Sequence, residues 1–191
     1  MNLQRKSGVG RFIFLLVAIL ILAGCTRLAT LHFYRAAYPI HYRETVLACA
    51  KERGLAPELV FAVIHCESGF DHQAVSHVEA RGLMQITEDT FEWARWRMGD
   101  DEDRTFGDMF VPETNIRYGT AILWLLTEEF KGEREVLAAY HAGWGNVKDW
   151  LAREEYSRDG STLDHIPFGD TRAYVAKVLE TKKIYSQLYQ F

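Results

Sequence analysis

Hydrophobic residues occur along this chain in one continuous N-terminal run and in several shorter stretches with helical spacing. The N-terminal run is uncharged from Phe12 to Thr26 and lies between Arg11 and Arg27. Every residue from Leu59 to Ile64 is apolar, which indicates a helix that is buried on nearly all sides. No stretch alternates between apolar and polar residues with comparable strength, so the pattern predicts a mainly α protein.

Residues that start and stop helices divide the chain beyond Tyr42 into six predicted helices. Gly54 ends the first of them, and Pro57 suits the first turn of the second, for which Ala56 is a poor N-cap. A polar stretch that begins at Gly99 separates the third helix from the fourth and predicts a surface loop. The predicted helices span Glu44–Arg53, Pro57–Glu67, Glu88–Arg97, Pro112–Phe130, Glu133–Leu151 and about Asp170–Leu188.

The N-terminal run has the features of an export signal. Three basic residues and no acidic residue accompany it within residues 1–24: Arg5, Lys6 and Arg11. Its 15 uncharged residues, from 12 to 26, are fewer than the roughly 17 to 25 that a spanning helix needs. Leu22-Ala23-Gly24-Cys25 resembles the bacterial lipobox, in which the cysteine sulfur receives a lipid. We therefore expect an exported, membrane-tethered protein that is lipidated at Cys25, with an uncleaved membrane anchor as the alternative.

These features predict three segments. Residues 1–24 form the signal peptide or membrane anchor, residues 25–41 form a neck or tether, and residues 42–191 form one compact domain. The length of 191 residues, with 48% hydrophobic and 25% charged content, is ordinary for a globular chain and gives no support to disorder or fibrous repeats. We expect a monomer.

Charge and cysteine content exclude several classes of partner. The net charge is −4, and taking away the three positive charges of residues 1–24 leaves about −7 for the remainder, which disfavours a nucleic-acid partner. The three cysteines, Cys25, Cys49 and Cys66, are too few for a disulfide scaffold, although a single Cys49–Cys66 bond stays open as an alternative to a buried thiol. Because no Cys-x-x-Cys pair or His/Cys cluster is present, we expect neither a metal nor a cofactor.

Glu67 is the residue that most requires an explanation. It lies three residues after Ile64 and seven after Val60, and so on the same face of the apolar helix. In one interpretation the helix frays at this point and the carboxylate reaches water. In the other, apolar surroundings raise the pKa of Glu67, so that it holds a proton near neutral pH and acts as a general acid.

Several motifs resemble, in order and spacing, those of the bacterial lytic transglycosylases related to goose-type lysozyme. The similarity extends over roughly residues 42–185, and the agreement of successive motifs makes it far more specific than any one of them. The motifs are Val63–Phe70 with Ala74–Ser76, Gly82–Ile86, Asn115–Ile116 with Gly119, Ala138–Gly143 with Gly145, and Ile166–Arg172 with Tyr174–Val175.

This resemblance implies a lysozyme-like, mainly α domain that cleaves the β-1,4 bond between N-acetylmuramic acid and N-acetylglucosamine in peptidoglycan. Glu67 corresponds to the catalytic glutamate, which in this family first protonates the glycosidic oxygen and then serves as a base for the muramoyl C6 hydroxyl. The product is a 1,6-anhydro end, and the enzyme is therefore a carbohydrate lyase. No second carboxylate and no cofactor are required, unlike in most glycosidases.

The resemblance also assigns substrate contacts to other residues. For Ser76, Met84 and Tyr140, purely structural roles in a turn or in the core are alternatives. Two positions depart from the family pattern, since a histidine replaces the usual asparagine and an aspartate replaces the usual glutamate. The residues expected to contact substrate are Ser76, Met84, Gln85, Tyr140, His141 and Asp170.

Two other functions compete with the transglycosylase. A goose-type hydrolase uses water in place of the C6 hydroxyl and needs the same glutamate. A non-catalytic wall-binding scaffold is the alternative from another class, and the presence of Glu67 weighs against it.

Overall fold

A computed structural model describes the backbone of residues 4–191 and the side chains of residues 10–191. The chain divides before Ile40 into two units. Within the described residues there are eight α-helices, one short 3-10 helix and no strand, which confirms the mainly α prediction. They are α1 (Gln4–Ala37), α2 (Arg43–Arg53), α3 (Pro57–Ser68), α4 (Glu88–Met98), the 3-10 helix (Phe106–Phe110), α5 (Pro112–Glu129), α6 (Glu133–Ala142), α7 (Trp144–Leu151) and α8 (Gly169–Leu188).

The first unit consists of α1, which contains the N-terminal apolar run. Its segment Gly10–Ala37 has a mean hydropathy of 2.5 and is long and apolar enough to cross a membrane, by length and composition alone. The helix extends to Ala37, so most of the predicted neck is helical. Residues 1–3, and the side chains of Arg5 and Lys6 that were assigned to the export signal, lie outside what the structure describes.

The second unit is built around α3, which is enclosed as its apolar sequence predicts. Pro57 occupies the first turn of this helix, and Ala56 makes no side-chain cap. All residues from Val60 to Ile64 are fully buried, and α8 is the principal partner of the helix. The ring of Phe61 stacks on that of Tyr185 with 5.6 Å between their centroids. Packing of α3 against α8 therefore fixes the position of Glu67, in the last turn of α3.

The predicted helix from Glu133 to Leu151 is wrong in one respect, because it is two helices. Gly143 separates α6 from α7, and its backbone angles, φ 91° and ψ 142°, are not helical. Only glycine adopts such a positive φ readily. The short 3-10 helix between α4 and α5 has no counterpart in the sequence prediction.

The loop between α3 and α4 is fastened to the helices by side chains that the sequence had not singled out for this purpose. Asn115 is fully buried on α5; its Oδ1 accepts a hydrogen bond from the Met84 N–H at 2.8 Å, and its Nδ2 donates to the carbonyl oxygens of Arg81 and Met109. Ser68 Oγ, at the end of α3, donates to the Leu83 carbonyl oxygen at 2.8 Å. These bonds hold the loop as one wall of a cleft.

Candidate active site

Glu67 lies in a cleft of about 400 Å³ between α3, the α3–α4 loop and the end of α6. Helix α3 does not fray before it, because the helix continues through Ser68 and ends at Gly69, whose φ is 61°. The carboxyl group therefore projects from a rigid element whose preceding residues are buried. This agrees with the second interpretation of Glu67, a carboxyl in apolar surroundings, and not with a frayed helix end.

The phenol of Tyr174, on α8, is the hydrogen-bond partner of Glu67. Its hydroxyl donates to Glu67 Oε1 at 2.6 Å, and the tyrosine is only 9% exposed. Burial raises the pKa of Glu67 to about 7, because desolvation of the carboxylate outweighs the opposing effects of the Tyr174 hydroxyl and the Lys177 ammonium. At neutral pH a large fraction of Glu67 thus carries a proton.

The structure brings most of the predicted site residues into this one cleft. The α3–α4 loop contributes two of them and the end of α6 two more, while Thr90 and Ile122 form part of the remaining wall. The predicted residues that line the cleft are Glu67, Ser76, Gln85, Tyr140 and His141. Their direct contact with substrate stays a prediction.

Ser76 and Gln85 also hold the loop in shape. Ser76 Oγ accepts from the backbone N–H groups of Val78 at 3.3 Å and Ala80 at 3.1 Å. Gln85 has a φ of 48°, and its Nε2 donates to the carbonyl oxygens of Ala74 and Gly82. The turn-capping alternative for Ser76 is thus present in the structure, and it coexists with a position on the cleft wall.

The Met84 side chain lies outside the cleft lining, and its expected contact with substrate stays a prediction. Met84 is fully buried and is absent from the cleft lining, because its sulfur packs against the backbone of Gly119, where a Cβ atom would overlap it. Close packing therefore explains the glycine inside α5. The contribution of Met84 to the cleft comes from its backbone carbonyl oxygen, which accepts a hydrogen bond from the Tyr140 hydroxyl at 2.8 Å.

Tyr140 lines the cleft but does not donate a hydrogen bond to Glu67. Its hydroxyl is engaged with Met84, and the hydroxyl that reaches Glu67 is that of Tyr174. Tyr174 belongs to one of the family motifs, but the sequence assigned it no role. No spacing signal pointed to this role, since Glu67 and Tyr174 are separated by 107 positions in sequence.

His141 packs beside the same tyrosine. Its ring stacks on that of Tyr174 with a centroid distance of 4.5 Å, and its Nδ1 lies 3.1 Å from Thr171 Oγ1. Burial lowers the pKa of His141, and the nearby Asp170 carboxylate opposes this effect only in part. His141 is therefore neutral at pH 7 and offers a hydrogen-bonding imidazole, not a cation, to the cleft.

Asp170 stands at the start of α8, outside the residues that line the cleft. Its side chain is exposed, and its Oδ1 accepts from the backbone N–H of Thr171 at 2.8 Å. The structure therefore places it near the site without a direct position on the wall. A contact between Asp170 and substrate stays a prediction.

The cysteines and the metal-ligating side chains offer no second chemistry within the part of the chain that the structure describes. No group of three or more His, Cys, Asp or Glu side chains there could hold a metal ion. Cys49 and Cys66 are both free thiols in the structure, so the alternative of a disulfide between them is wrong. Burial raises the pKa of the Cys66 thiol, whose Sγ donates to Thr181 Oγ1 at 3.6 Å.

Comparison with known proteins identifies relatives over most of the chain. The chain is 31% identical over 144 residues to the soluble lytic murein transglycosylase of Salmonella typhimurium, a match that covers 74% of this chain and 22% of that protein. It is 28% identical over 170 residues to the membrane-bound lytic murein transglycosylase C of Sodalis glossinidius, covering 75% of this chain and 46% of that protein. The chain thus spans between about a quarter and a half of the length of these relatives.

Among solved structures, an inactive glutamate-to-glutamine mutant of the lytic transglycosylase Slt from Pseudomonas aeruginosa superimposes with a TM-score of 0.69 and 36% identity, covering 78% of this chain and 24% of that one. The expected lysozyme-like fold is confirmed by this similarity. The family model described as the transglycosylase SLT domain matches residues 44–162, and the chain belongs to that family.

Proposed function

We propose that this protein is a peptidoglycan lytic transglycosylase that cleaves the MurNAc-β-1,4-GlcNAc bond without water and leaves 1,6-anhydro-MurNAc ends. The observation that carries the proposal is the Glu67 carboxyl, held in the cleft by Tyr174 at 2.6 Å with its pKa raised to about 7. Such a group delivers a proton near neutral pH and then serves as a base. The names of the relatives, which are lytic murein transglycosylases, support the same chemistry.

In the proposed reaction Glu67 acts twice. Protonated Glu67 gives its proton to the glycosidic oxygen while the bond from C1 to that oxygen breaks, and GlcNAc leaves with a free O4 hydroxyl. The acetamido oxygen of MurNAc bonds to C1 and forms an oxazolinium intermediate. Glu67, now a carboxylate, takes the proton of the C6 hydroxyl as O6 attacks C1 and displaces the acetamido oxygen. Glu67 is thereby reprotonated, and no water is consumed.

The composition of the cleft favours this route over hydrolysis. Of the described residues that line it, Glu67 is the only carboxylate, whereas most glycosidases use two. The C6 hydroxyl is held within the substrate and has a large effective concentration, so no second acid is needed to orient water. Tyr174 occupies Oε1 of Glu67, which leaves Oε2 to exchange the proton.

The other cleft residues bind and orient the sugar in this proposal. Ser76, Gln85 and Tyr140 line the cleft, and in this reaction Ser76 and Tyr140 orient the acetamido group. His141, with Nδ1 near Thr171 Oγ1, presents Nε2 to the substrate. Asp170, at the start of α8, assists through a bridging water molecule.

Digestion of purified sacculi tests the activity and its stereochemical outcome. The wild-type protein should release muropeptides with 1,6-anhydro ends, which borohydride does not reduce and which are lighter by one water than lysozyme products. Glu67→Gln should lower the rate by at least about 10² to 10⁴-fold. Predominantly reducible muramic acid ends would identify a goose-type hydrolase, and retained lysis by folded Glu67→Gln would overturn the role of Glu67.

We further propose that the protein is exported and tethered to the envelope membrane by a lipid on Cys25. By length and composition the segment Gly10–Ala37 could also span a membrane, so the support for lipidation is the lipobox-like motif and not the length of the helix. Cys25 follows Leu22-Ala23-Gly24 at the end of this run and is exposed on α1. The relative from Sodalis glossinidius, which is named membrane-bound, supports a membrane location.

A further inference from the structure

A cavity of about 760 Å³ lies on the side of α5 that faces away from the catalytic cleft. Ile122 lines the cleft and Trp124 lines the cavity, and residues two positions apart point about 200° apart around a helix. The ends of α2 and α4 and residues 99–102 form the other walls, and none of the described residues lines both spaces. A ligand in this cavity therefore does not compete with the reacting sugars at Glu67.

The guanidinium group of Arg53, at the end of α2, lines this cavity and lacks a strong partner. The side chain is only 12% exposed, and its Nε is buried with no hydrogen-bond partner among the described residues. Its Nη2 donates to the Met98 sulfur at 3.8 Å and lies 3.7 Å from Glu52 Oε1, while its Cζ lies 5.8 Å from the centroid of the Trp124 ring. A thioether is a weak acceptor, and arginine–carboxylate bonds are normally about 2.7 to 2.9 Å long. This guanidinium can therefore form a stronger pair with a ligand carboxylate. We call the space the Arg53 cavity.

Arg97, near the end of α4, brings a second unpaired guanidinium to the Arg53 cavity. Its Cζ lies 5.7 Å from the centroid of the Trp93 ring, and it takes part in none of the ion pairs within the described part of the chain. The third arginine of the lining, Arg117, is already paired with Glu102 at 3.6 Å. Because the planar guanidinium matches the geometry of a carboxylate, Arg53 and Arg97 together favour a ligand that carries one.

One carboxylate of the lining is also free to bind a ligand. Asp100 accepts a hydrogen bond from the Tyr118 hydroxyl at 2.9 Å, and Glu102 forms an ion pair with Arg104. Asp101 lies between them in sequence, is exposed, and forms neither an ion pair nor a side-chain hydrogen bond with any described residue. A simple anion would be repelled by Asp101, whereas a ligand with both a carboxylate and an ammonium group would satisfy both signs of charge.

We propose that the Arg53 cavity binds the zwitterionic amino-acid end of a peptidoglycan stem peptide, in which a carboxylate and an ammonium group share one carbon atom. The carboxylate lies between Arg53 and Arg97, the ammonium group pairs with Asp101, and the apolar part of the peptide covers the Trp124 indole. This inference rests on the proposed function, because the stem peptide belongs to the polymer that a lytic transglycosylase cleaves.

The position of the cavity determines which stem peptide reaches it. A tetrapeptide spans at most about 14 Å, which is too short to pass from the cleft around α5 and the elements that flank it. The bound peptide therefore belongs to a neighbouring strand of the wall. The Arg53 cavity then holds the enzyme on the peptidoglycan network while the cleft acts on another strand.

Binding of free stem peptides to the full chain in detergent tests the cavity without any glycan. The probe is the tetrapeptide L-Ala-γ-D-Glu-meso-diaminopimelyl-D-Ala, whose diaminopimelyl end is zwitterionic, and its affinity is measured by calorimetry. A synthetic form acetylated on the amino group of that end keeps the carboxylate and removes the ammonium group. Comparison of the two peptides separates the two charge interactions.

The variants are Arg53→Gln, Arg97→Gln and Asp101→Asn, with Arg43→Gln as the control. Arg43 is suitable because it is exposed at the first position of α2, the helix that carries Arg53, and lies outside the cavity. Thermal unfolding of each variant verifies that it is folded. If Arg53→Gln does not fold, Arg97→Gln decides in its place.

The expected result is a loss of affinity for the tetrapeptide of about tenfold or more in Arg53→Gln, because a charge-assisted bond to a nearly buried guanidinium is lost. Arg97→Gln and Asp101→Asn remove exposed partners and should weaken binding by about two- to fivefold. Asp101→Asn should not weaken the acetylated peptide, which has no ammonium group to pair. Arg43→Gln should weaken neither peptide.

Affinities of the arginine variants that equal that of Arg43→Gln, or no binding of millimolar tetrapeptide by the wild-type protein, would overturn the inference. Sacculus digestion by the wild-type protein distinguishes this failure from failure of the proposed function. Digestion without tetrapeptide binding leaves the proposed function intact and removes the cavity from it. Tetrapeptide binding that Arg53→Gln abolishes, without digestion, supports the cavity and contradicts the proposed function.

Discussion

The hydroxyl of Tyr174 donates to Oε1 of Glu67 at 2.6 Å and so connects the end of α3 to α8 at the point where the proposed acid lies. Burial raises the pKa of Tyr174 well above its ordinary value, which keeps the phenol a neutral donor over the whole working range of pH. The bond favours the charged form of Glu67, whereas desolvation favours the neutral form and is the larger effect. The pKa of Glu67 is the result of these two opposed contributions.

Tyr174→Phe should therefore move the pH dependence of the reaction. Loss of the hydrogen bond removes a contribution that lowers the pKa of Glu67, so the alkaline limb of kcat/KM should shift to higher pH by about one unit. In the wild-type protein kcat/KM should decrease above about pH 7, where Glu67 loses its proton. The measurement is the rate of release of soluble muropeptides between pH 4 and 10.

Tyr140→Phe is the matched control for this shift. It also removes one buried phenol, but the hydroxyl of Tyr140 donates to the Met84 carbonyl oxygen and not to Glu67. We expect a loss of about 1 kcal/mol of stability and an unchanged alkaline limb. An equal displacement of the limb in both variants would show that Tyr174 does not set the pKa of Glu67 through its hydrogen bond.

The raised pKa of Glu67 also predicts how stability depends on pH. Between its ordinary value of 4.5 and about 7, the folded protein binds more protons at this site than the unfolded chain does. The free energy of unfolding therefore decreases as pH rises through this window, by up to about 3 kcal/mol in total. Glu67→Gln carries no such charge and should be more stable than the wild type at pH 8, and about equally stable at pH 4.5.

Urea unfolding at the two pH values measures this difference. Glu92→Gln is a suitable control, since Glu92 is exposed on α4 and the same substitution there should change stability little at either pH. A stability difference between Glu67→Gln and the wild type that is the same at pH 4.5 and pH 8 would show that burial does not raise the pKa of Glu67.

Most helix boundaries were accessible from sequence because single residues encode them. Gly54 and Gly69 end α2 and α3 in the left-handed conformation, as glycines after an apolar stretch commonly do. Gly143 was missed because apolar residues on both sides continue a helical period. The break between α6 and α7 depends on the backbone angles of Gly143, which the hydrophobic pattern does not record.

The site was only partly accessible for a similar reason. Glu67 was evident from its apolar helix and its motif, and the cleft does collect Ser76, Gln85 and His141 around it. The hydrogen bond from Tyr174 to Glu67 could not be foreseen, because the packing of α8 against α3 decides which hydroxyl reaches Glu67. The burial of the Met84 side chain likewise depends on Gly119 of α5, where a Cβ atom would overlap the Met84 sulfur.

Gly82 should be the least replaceable glycine of the site wall. It has a φ of 73°, and an added Cβ would overlap the Met109 carbonyl oxygen and the Asn115 amide, which are fixed by the bonds that hold the loop. Gly82→Ala should cost at least about 3 kcal/mol and reduce lytic activity, because neither neighbour can move without breaking those bonds.

Gly69→Ala separates backbone strain from overlap. Gly69 has a similar φ of 61°, but no neighbouring atom lies within 4 Å of the position that an alanine Cβ would occupy, so its replacement should cost only about 1 to 2 kcal/mol. Urea unfolding of the full chain in detergent measures both losses. Similar losses in the two variants would mean that the loop at Gly82 yields easily and is not rigidly fastened.

Lipidation of Cys25 makes a prediction about the mature N-terminus. Signal cleavage before Cys25 would remove the preceding apolar residues, and the new terminal cysteine would carry a diacylglyceryl group that holds the domain at the membrane. Since one acyl chain gives only marginal binding, the two or more chains of a lipoprotein are needed for stable attachment.

Mass spectrometry of protein from a bacterial membrane should therefore find an N-terminal peptide that starts at Cys25 and carries the added lipid mass. Cys25→Ser should accumulate as unprocessed chain or leave the membrane fraction, while Cys49→Ser, which changes a half-buried thiol within the domain, should be processed normally. A mature chain that keeps Met1 and an unmodified Cys25 would instead establish α1 as an uncleaved anchor.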